Sequence, residues 1–238
     1  MIMSKIITDI RKELMNSSDI KTKEIANHFF KEQIKCYGVK SSVVSDIAND
    51  YWKNKVKELP KKEIFNLCEE LFKSDYCEEA YVVANWCPKL KDKLEKKDIY
   101  IFKEWINKYI NNWAKCDSFC NHTIGDLIFK YPELVSELKT WTKSKNRWMK
   151  RASSVSLILP ARKGLFLKEI FEISDILLLE NDDMVQKGYG WMLKEASRLH
   201  EEEVFDYVIK HKEIMPRTSL RYAIELMPKN LKEKAMKK

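Results

Sequence analysis

The chain contains little glycine and little proline, 5 and 6 residues respectively among 238. A β-sandwich, a barrel or a Rossmann sheet needs many tight turns, and these two residue types form many of them. The scarcity therefore disfavours all three folds. The abundant Lys, Glu, Leu, Ile and Ala are good or fair helix formers. The composition predicts an all-α protein of long helices joined by short turns.

Long apolar runs and metal-binding motifs are also missing. No stretch approaches the 18 or so apolar residues of a membrane-spanning helix, and the N-terminus lacks the apolar segment of a signal peptide. The six cysteines form no CxxC pair, and Cys116, Cys120 and His122 lack a fourth ligand for zinc. We therefore expect free buried thiols, no metal, no cofactor, no membrane contact and a cytoplasmic location, on the nucleoid if the chain is prokaryotic.

The net charge of +8 indicates an anionic partner, most often nucleic acid. A general bias toward lysine is the alternative explanation. A basic surface that binds DNA neutralises phosphates and releases counterions. The charge therefore favours DNA as the partner.

Helix signals repeat along the whole chain. Ser17, Ser18 and Asp19 predict an N-cap for a helix ending near Phe30. Further helices are predicted over 40–55, 60–73, 75–87, 95–112, 117–131, 133–142, 146–159, 164–180, 182–198, 201–212, 216–227 and 228–236. From residue 95 the helices pair with a spacing of roughly 30 to 40 residues, as in HEAT hairpins. We predict one domain, 1–238, forming a HEAT-like α-solenoid with a concave basic groove. A compact irregular helical bundle is the alternative.

Basic residues recur on the second helices of these pairs. In the helices over 146–159 and 182–198, stripes of apolar residues at helical spacing predict a core face, and the basic residues lie outside it. Equivalent helices of a solenoid line one surface, so these faces would merge into the groove. An ordinary solvated face is the alternative for any single helix. The candidate DNA contacts are Arg147, Lys150, Arg151, Lys187, Lys194, Arg217 and Arg221.

An indole and a carboxylate, Trp113 and Asp117, stand four residues apart. Residues at this spacing share a helix face, so the pair is suited to holding a cationic ring. Two plainer explanations compete. Asp117 can be the N-cap of a helix over Ser118–Lys130, and Trp113 can be a core aromatic. Trp191 lies outside the apolar stripe of its helix and is harder to explain as core.

At these residues the chain resembles the DNA alkylation-repair family, the AlkD-type HEAT-like DNA glycosylases. The similarity covers most of the chain and is densest over 105–225. It is carried by Trp113-x3-Asp117, Gly125-Asp126, Tyr131-Pro132-Glu133-Leu134, Arg147-Trp148-Met149-Lys150-Arg151-Ala152, Gln186-Lys187-Gly188-Tyr189-Gly190-Trp191-Met192-Leu193-Lys194-Glu195 and Met215-Pro216-Arg217-Thr218-Ser219-Leu220-Arg221-Tyr222-Ala223.

The resemblance implies excision of cationic N3- and N7-alkylated purines from double-stranded DNA. We expect the protein to be a monomer. It implies that Asp117 is the catalytic carboxylate and that Trp113 and Trp191 hold the deoxyribose. Arg151 would grip the DNA backbone, Lys194 would contact a phosphate, and Phe29 stands where the family often has a tyrosine. Two alternatives remain: a non-catalytic HEAT-repeat protein that recognises unusual DNA structure, and a protein-interaction scaffold.

Overall fold

The computed structural model describes residues 2–237, and helices dominate this part of the chain. Contacts group into two compact units, one ending at Phe119 and the other beginning at Cys120. The prediction of an all-α fold is confirmed. The six cysteines are buried free thiols.

The first unit contains seven α-helices within its described residues. They are α1 (Ile2–Asn16), α2 (Ile20–Phe29), α3 (Ser41–Tyr51), α4 (Lys61–Lys73), α5 (Cys77–Trp86), α6 (Asp98–Tyr109) and α7 (Trp113–Phe119), with a π-helical turn at Trp52–Val56 and a 3-10 helix at Cys87–Lys93. Asp19 caps α2 as predicted, accepting the Thr22 N–H at 2.8 Å. Helix α1 was not among the predicted helices.

The second unit contains nine α-helices within its described residues. They are α8 (Gly125–Lys130), α9 (Val135–Trp141), α10 (Arg147–Val155), α11 (Ile158–Arg162), α12 (Leu167–Leu177), α13 (Asp183–Ala196), α14 (Glu201–His211), α15 (Arg217–Ala223) and α16 (Lys229–Met236), with a π-helical turn at Cys120–Ile124 and a 3-10 helix at Pro132–Leu134. The helix predicted over 146–159 ends at Val155. The Leu157 N–H bonds to the Ser154 carbonyl at 3.0 Å, so a turn at Ser156 and Leu157 interrupts the α-helical ladder, and Pro160 lies in the first turn of α11, where a proline is tolerated.

Interlocked aromatic rings fill the core of the first unit. Phe72 and Phe119 meet edge-on with ring centroids 5.5 Å apart, and Phe102 meets Phe119 in the same way at 5.6 Å. Trp105 packs against both Phe65 and Phe72. Edge-to-face contacts of this kind add to the gain from burying the rings. They fix the buried side of α7 against α4 and α6.

Helix α13 is the central helix of the second unit, and two glycines let its neighbours approach closely. A Cβ on Gly188 would lie 3.0 Å from the Ser154 Oγ of α10. A Cβ on Gly190 would lie 2.8 Å from the Ser219 carbonyl oxygen of α15, closer than packing permits. The Gly-Tyr-Gly run therefore supports two helix contacts at once. The apolar stripe predicted on α13 is fully buried, and it consists of Val185, Tyr189, Met192 and Ala196.

Candidate functional site

Trp113 and Asp117 lie one turn apart on α7, and both side chains are partly exposed. Trp113 is therefore not the core aromatic of the plainer explanation. The N-cap explanation of Asp117 is also wrong, because α7 begins at Trp113 and Asp117 is its fifth residue. The cap is Asn112, whose Oδ1 accepts the Lys115 N–H at 3.0 Å.

Two phenylalanines surround the Trp113 indole. The Phe30 ring stacks on it with centroids 5.3 Å apart and an interplanar angle of 21°. Phe29 approaches at 5.7 Å with a tilt of 59°, and its side chain is exposed. The sequence interpretation singled out Phe29 and missed Phe30. Position alone could not distinguish the two rings, because they are neighbours at the end of α2.

A buried lysine anchors the helix that carries this pair. Lys115 is 2 % exposed, and its ammonium donates to the Asp75 carbonyl at 2.8 Å, to the Asp75 carboxylate at 2.5 Å and to Asn111 Oδ1 at 3.0 Å. Asp75 has a φ of 67°, in the left-handed region that aspartate tolerates better than most residues. The turn between α4 and α5 is thereby tied to the start of α7.

A second buried charge holds the segment that follows Phe30. Glu78 of α5 accepts the backbone N–H groups of Tyr37, Gly38 and Val39 at 2.8 to 3.0 Å. The Tyr37 ring stacks on Tyr76 at 3.9 Å and is almost parallel to it. Position 38 requires glycine, because its φ is 89° and a Cβ there would lie 2.6 Å from the Cβ of Lys23. These contacts limit where Phe29 and Phe30 can lie.

In the second unit, Trp191 is partly exposed on α13, and its indole N–H donates to Glu195 at 3.2 Å. Glu195 is 2 % exposed and also accepts hydrogen bonds from Arg162 and Arg198. Burial alone would raise the pKa of Glu195, but hydrogen bonds from Arg162, Arg198 and Trp191 lower it. Sequence reasoning missed Glu195 as a site residue. Its spacing of four from Trp191 was the available signal.

Most of the predicted DNA contacts in the second unit carry ion pairs, three with acids at least 30 residues away and one with an acid of its own helix. Arg147 binds Asp182 through two nitrogens, at 2.7 and 3.0 Å. Lys150 pairs with Glu180, Lys187 with Asp183 at 3.4 Å, and Lys194 with Glu225 at 3.1 Å. The side chains of these pairs are between 16% and 55% exposed, so the pairs lie at the edge of the accessible surface. A DNA phosphate that contacts one of these cations has to displace its acid partner.

The remaining predicted contacts divide into one buried and two exposed arginines. Arg151 is 5 % exposed, and its guanidinium donates to the Met184 carbonyl. Arg217 and Arg221 are exposed on α15, and Arg217 donates to the Met236 carbonyl at 3.1 Å. Each predicted residue is thus located, but their DNA contacts stay predictions.

The family model for DNA alkylation repair enzymes matches residues 10–227, nearly the whole chain. The chain belongs to this family. Membership in this family indicates an enzyme that acts in DNA repair and has DNA as its partner. No curated protein sequence is recognisably similar to it. In the described part of the chain, every helix is too short or too polar to cross a membrane.

Solved structures share the fold of this family member at low sequence identity. A structure described as a predicted DNA alkylation repair enzyme from Enterococcus faecalis is 14% identical with a TM-score of 0.79, covering 90% of this chain and 98% of that one. AlkD2 from Streptococcus mutans is 17% identical with a TM-score of 0.62, covering 94% and 98%. The smu.31 protein from Streptococcus mutans is 17% identical with a TM-score of 0.57, covering 79% and 99%. These similarities confirm the helical-repeat architecture predicted from the sequence.

Proposed function

We propose that the protein is a monofunctional DNA glycosylase that hydrolyses the N-glycosidic bond of cationic N3- and N7-alkylated purines in duplex DNA. The observation that carries this proposal is the arrangement on α7 of a family member. A partly exposed carboxylate, Asp117, lies one turn from an indole that is flanked by Phe29 and Phe30. A negative charge on a DNA-binding surface repels phosphates, so it needs a chemical reason.

The chemistry of the substrate supplies that reason. A purine alkylated at N3 or N7 already carries a positive charge and leaves as a neutral base, so no general acid is required. The barrier lies in the deoxyribose, which acquires oxocarbenium character as the bond breaks. A carboxylate fixed near this cation stabilises the transition state more than the ground state. In the proposed mechanism Asp117 does this and orients the water that attacks the sugar.

Magnitudes favour an electrostatic role of this kind. A carboxylate about 4 Å from the sugar cation stabilises it by about 4 kcal/mol at an effective dielectric constant near 20. That energy corresponds to a rate enhancement on the order of a thousandfold. Trp113 would add cation–π attraction, and we propose the same for Trp191. The mechanism acts on the sugar and does not require a deep pocket for a flipped base.

The basic residues of the second unit would contact the phosphate backbone. The proposed contacts are Arg147, Lys150, Arg151, Lys187, Lys194, Arg217 and Arg221, with Phe29 of the first unit beside the lesion. Binding through exposed cations predicts an affinity that falls steeply with salt.

Release of methylated bases tests the proposal directly. Duplex DNA methylated on its purines is incubated with the protein, and free 3-methyladenine and 7-methylguanine are separated by chromatography. The wild type should release both. Asp117→Asn should lower the single-turnover rate about a thousandfold while duplex affinity stays equal or rises slightly. Asp46→Asn, which removes an exposed acid of the same unit, should keep the wild-type rate.

Three results distinguish the alternatives. DNA binding without release would contradict an enzyme and favour a protein that recognises DNA structure. Full activity of Asp117→Asn would exclude the carboxylate from catalysis. Neither release nor salt-dependent DNA binding would favour the protein-interaction scaffold.

A further inference from the structure

One buried carboxylate on α13 binds two arginines and a tryptophan. Glu195 Oε2 accepts from Arg162 Nε at 2.9 Å and from Arg198 Nε at 2.6 Å, while Oε1 accepts from Trp191 Nε1 at 3.2 Å. Trp191 and Glu195 are four residues apart on α13, so they share a face. Arg198 lies in the turn that follows the helix. Arg162 comes from the end of α11.

The chain segments that follow the two arginines bind each other and fix the pair in place. The His200 ring nitrogen lies 3.0 Å from the Gly164 carbonyl oxygen. Gly164 has a φ of 73°, and a Cβ there would meet Leu199 and His200 at 3.1 and 3.2 Å. Only glycine fits this close crossing without strain. The turn after α11 and the end of α13 are therefore held together.

The charges in this cluster do not balance. The Glu195 side chain is 3% exposed, whereas those of Arg162 and Arg198 are 48% and 44% exposed. One buried anion thus orients two half-exposed cations, and the net charge of the three groups is +1. Within the described part of the chain, each guanidinium meets Glu195 through Nε and has no other hydrogen bond. The Nη groups of both arginines remain available as donors.

The two arginines offer more N–H donors than Glu195 uses, and the unused donors suit a phosphate. Arginine presents a planar fork of N–H groups that matches phosphate oxygens, and charge-assisted bonds of this type are strong. A second guanidinium beside the first costs repulsion if the cluster serves only to neutralise Glu195. An anion bound between the Nη groups removes that repulsion. Lys163, exposed next to Arg162, adds a further positive charge.

We propose that Arg162 and Arg198 form a clamp for a backbone phosphate of duplex DNA, with Glu195 as the positioning residue that orients both guanidinium groups and the Trp191 indole. The clamp rests on the proposed function, because DNA is its ligand. It adds two arginines to the predicted DNA contacts and explains why an acid lies in the middle of a basic face. It also places a phosphate contact beside Trp191.

Salt dependence of DNA binding tests the clamp. The affinity of an unmodified duplex is measured by fluorescence anisotropy between low and moderate salt for the wild type and for Arg162→Gln/Arg198→Gln. Loss of one phosphate contact should make the slope of log affinity against log salt shallower by about one unit. Affinity at low salt should fall about tenfold, as for the loss of a charge-assisted hydrogen bond. Replacement of Arg by Gln leaves Glu195 buried with fewer partners, so unfolding midpoints are recorded in parallel.

A charge-matched control and a fold-preserving variant complete the experiment. Lys168→Gln/Lys229→Gln removes two exposed cations from the same unit, each of which faces a glutamate one turn away; it should leave the slope near that of the wild type. If the double arginine variant unfolds, Arg162→Met/Glu195→Met/Arg198→Met removes the buried charge as well and should show the same loss of slope. A merely structural cluster would change the unfolding midpoint without changing the slope.

The outcomes separate the clamp from the proposed function. An arginine variant that binds like the lysine control overturns the clamp, even if the wild type releases methylated bases. A wild type that shows no salt-dependent DNA binding overturns both. A shallower slope in the arginine variants, with wild-type binding intact but no base release, supports the clamp and contradicts the glycosylase.

Discussion

The two units support their tryptophans in different ways, each with a buried charge of opposite sign. In the first unit, the Lys115 cation anchors the helix that carries Trp113. Its ammonium donates to Asp75 and Asn111 and not to the indole. In the second, Glu195 is an anion that binds the Trp191 indole directly. Both charges are 2 % exposed. The comparison shows that one tryptophan is positioned through its helix and the other through its own ring nitrogen.

The surroundings of the two indoles differ as well. Two phenylalanine rings pack against Trp113, on the helix that also carries Asp117. Trp191 shares its helix face with cations and their partner acids. An apolar neighbourhood strengthens the field of a nearby carboxylate, whereas a charged one suits phosphates. Under the proposed function, the first unit would act on the sugar and the second would bind the phosphate backbone.

Removing the buried lysine should produce the largest change in stability. Lys115→Met deletes three hydrogen bonds and the ion pair with Asp75, whose carboxylate keeps the hydrogen bond from Asn111. The change should cost about 3 kcal/mol in the free energy of unfolding, the lower end for a broken buried pair. The expected loss in the free energy of unfolding is at the lower end of the range because the Asp75 side chain is half exposed and water can solvate it. Urea unfolding measures the loss. Lys73→Met, an exposed lysine paired with Glu70 at 3.3 Å, should change stability by less than about 0.5 kcal/mol. Equal losses in the two variants would show that Lys115 is not the anchor.

The buried glutamate should contribute less, and its contribution should depend on pH. Glu195→Gln should cost about 2 kcal/mol at pH 7, typical of hydrogen bonds to a charged group, reduced here by the exposure of both arginines. The folded protein holds the pKa of Glu195 below its ordinary value of 4.5. The carboxylate therefore stabilises the fold above that pH, and the contribution is lost as the pH falls through the folded pKa.

Urea unfolding of the wild type and Glu195→Gln at several pH values between 7 and 3 measures this dependence. The difference between the two proteins should be largest at neutral pH and shrink in acid. Glu225→Gln removes an exposed acid paired with Lys194 and should show a smaller difference. A difference that grows as the pH falls would contradict the assignment of Glu195 as an ionised anchor.

The smallest effect should come from the phenylalanine stacked on Trp113. Phe30→Leu removes an aromatic pair that contributes about 1 kcal/mol, so the excision rate should fall about fivefold if the ring orients the indole. Phe29→Leu should have a smaller effect, because its ring is tilted and 69% exposed. Single-turnover release of 7-methylguanine measures both. A larger loss in Phe29→Leu would reverse the order of the two rings.

Local sequence signals predicted much of the fold. Asp19 was predicted to cap the helix that follows it, and its side chain does so. The helix predicted over 182–198 is α13, which Asp182 caps. The apolar stripe predicted on α13 is buried, because burial follows the helical period. The boundary errors have local causes too. Asn112 caps α7, so this helix begins before the predicted helix over 117–131. A turn at Ser156 and Leu157 divides the helix predicted over 146–159.

The candidate site depended more on contacts between distant residues. The stretch from Leu138 to Arg151 contains no acid in the sequence, yet Lys139 meets Glu172, Arg147 meets Asp182 and Lys150 meets Glu180. These partners lie 30 to 35 residues further along the chain. No local pattern reports such a pairing, because it arises from the packing of one helix against another.

By itself, the sequence determined the helices, the core stripes and the one-turn spacing of Trp113 and Asp117, since all of these follow from the geometry of a single helix. The tertiary structure decided which charges are buried and which partners they find. Lys115, an ordinary basic residue in the sequence, became the anchor of α7, and Glu195 became the centre of an arginine pair. The reason is physical: the effect of a charge depends on its desolvation and its neighbours, and both are set by chain segments that lie far apart in the sequence.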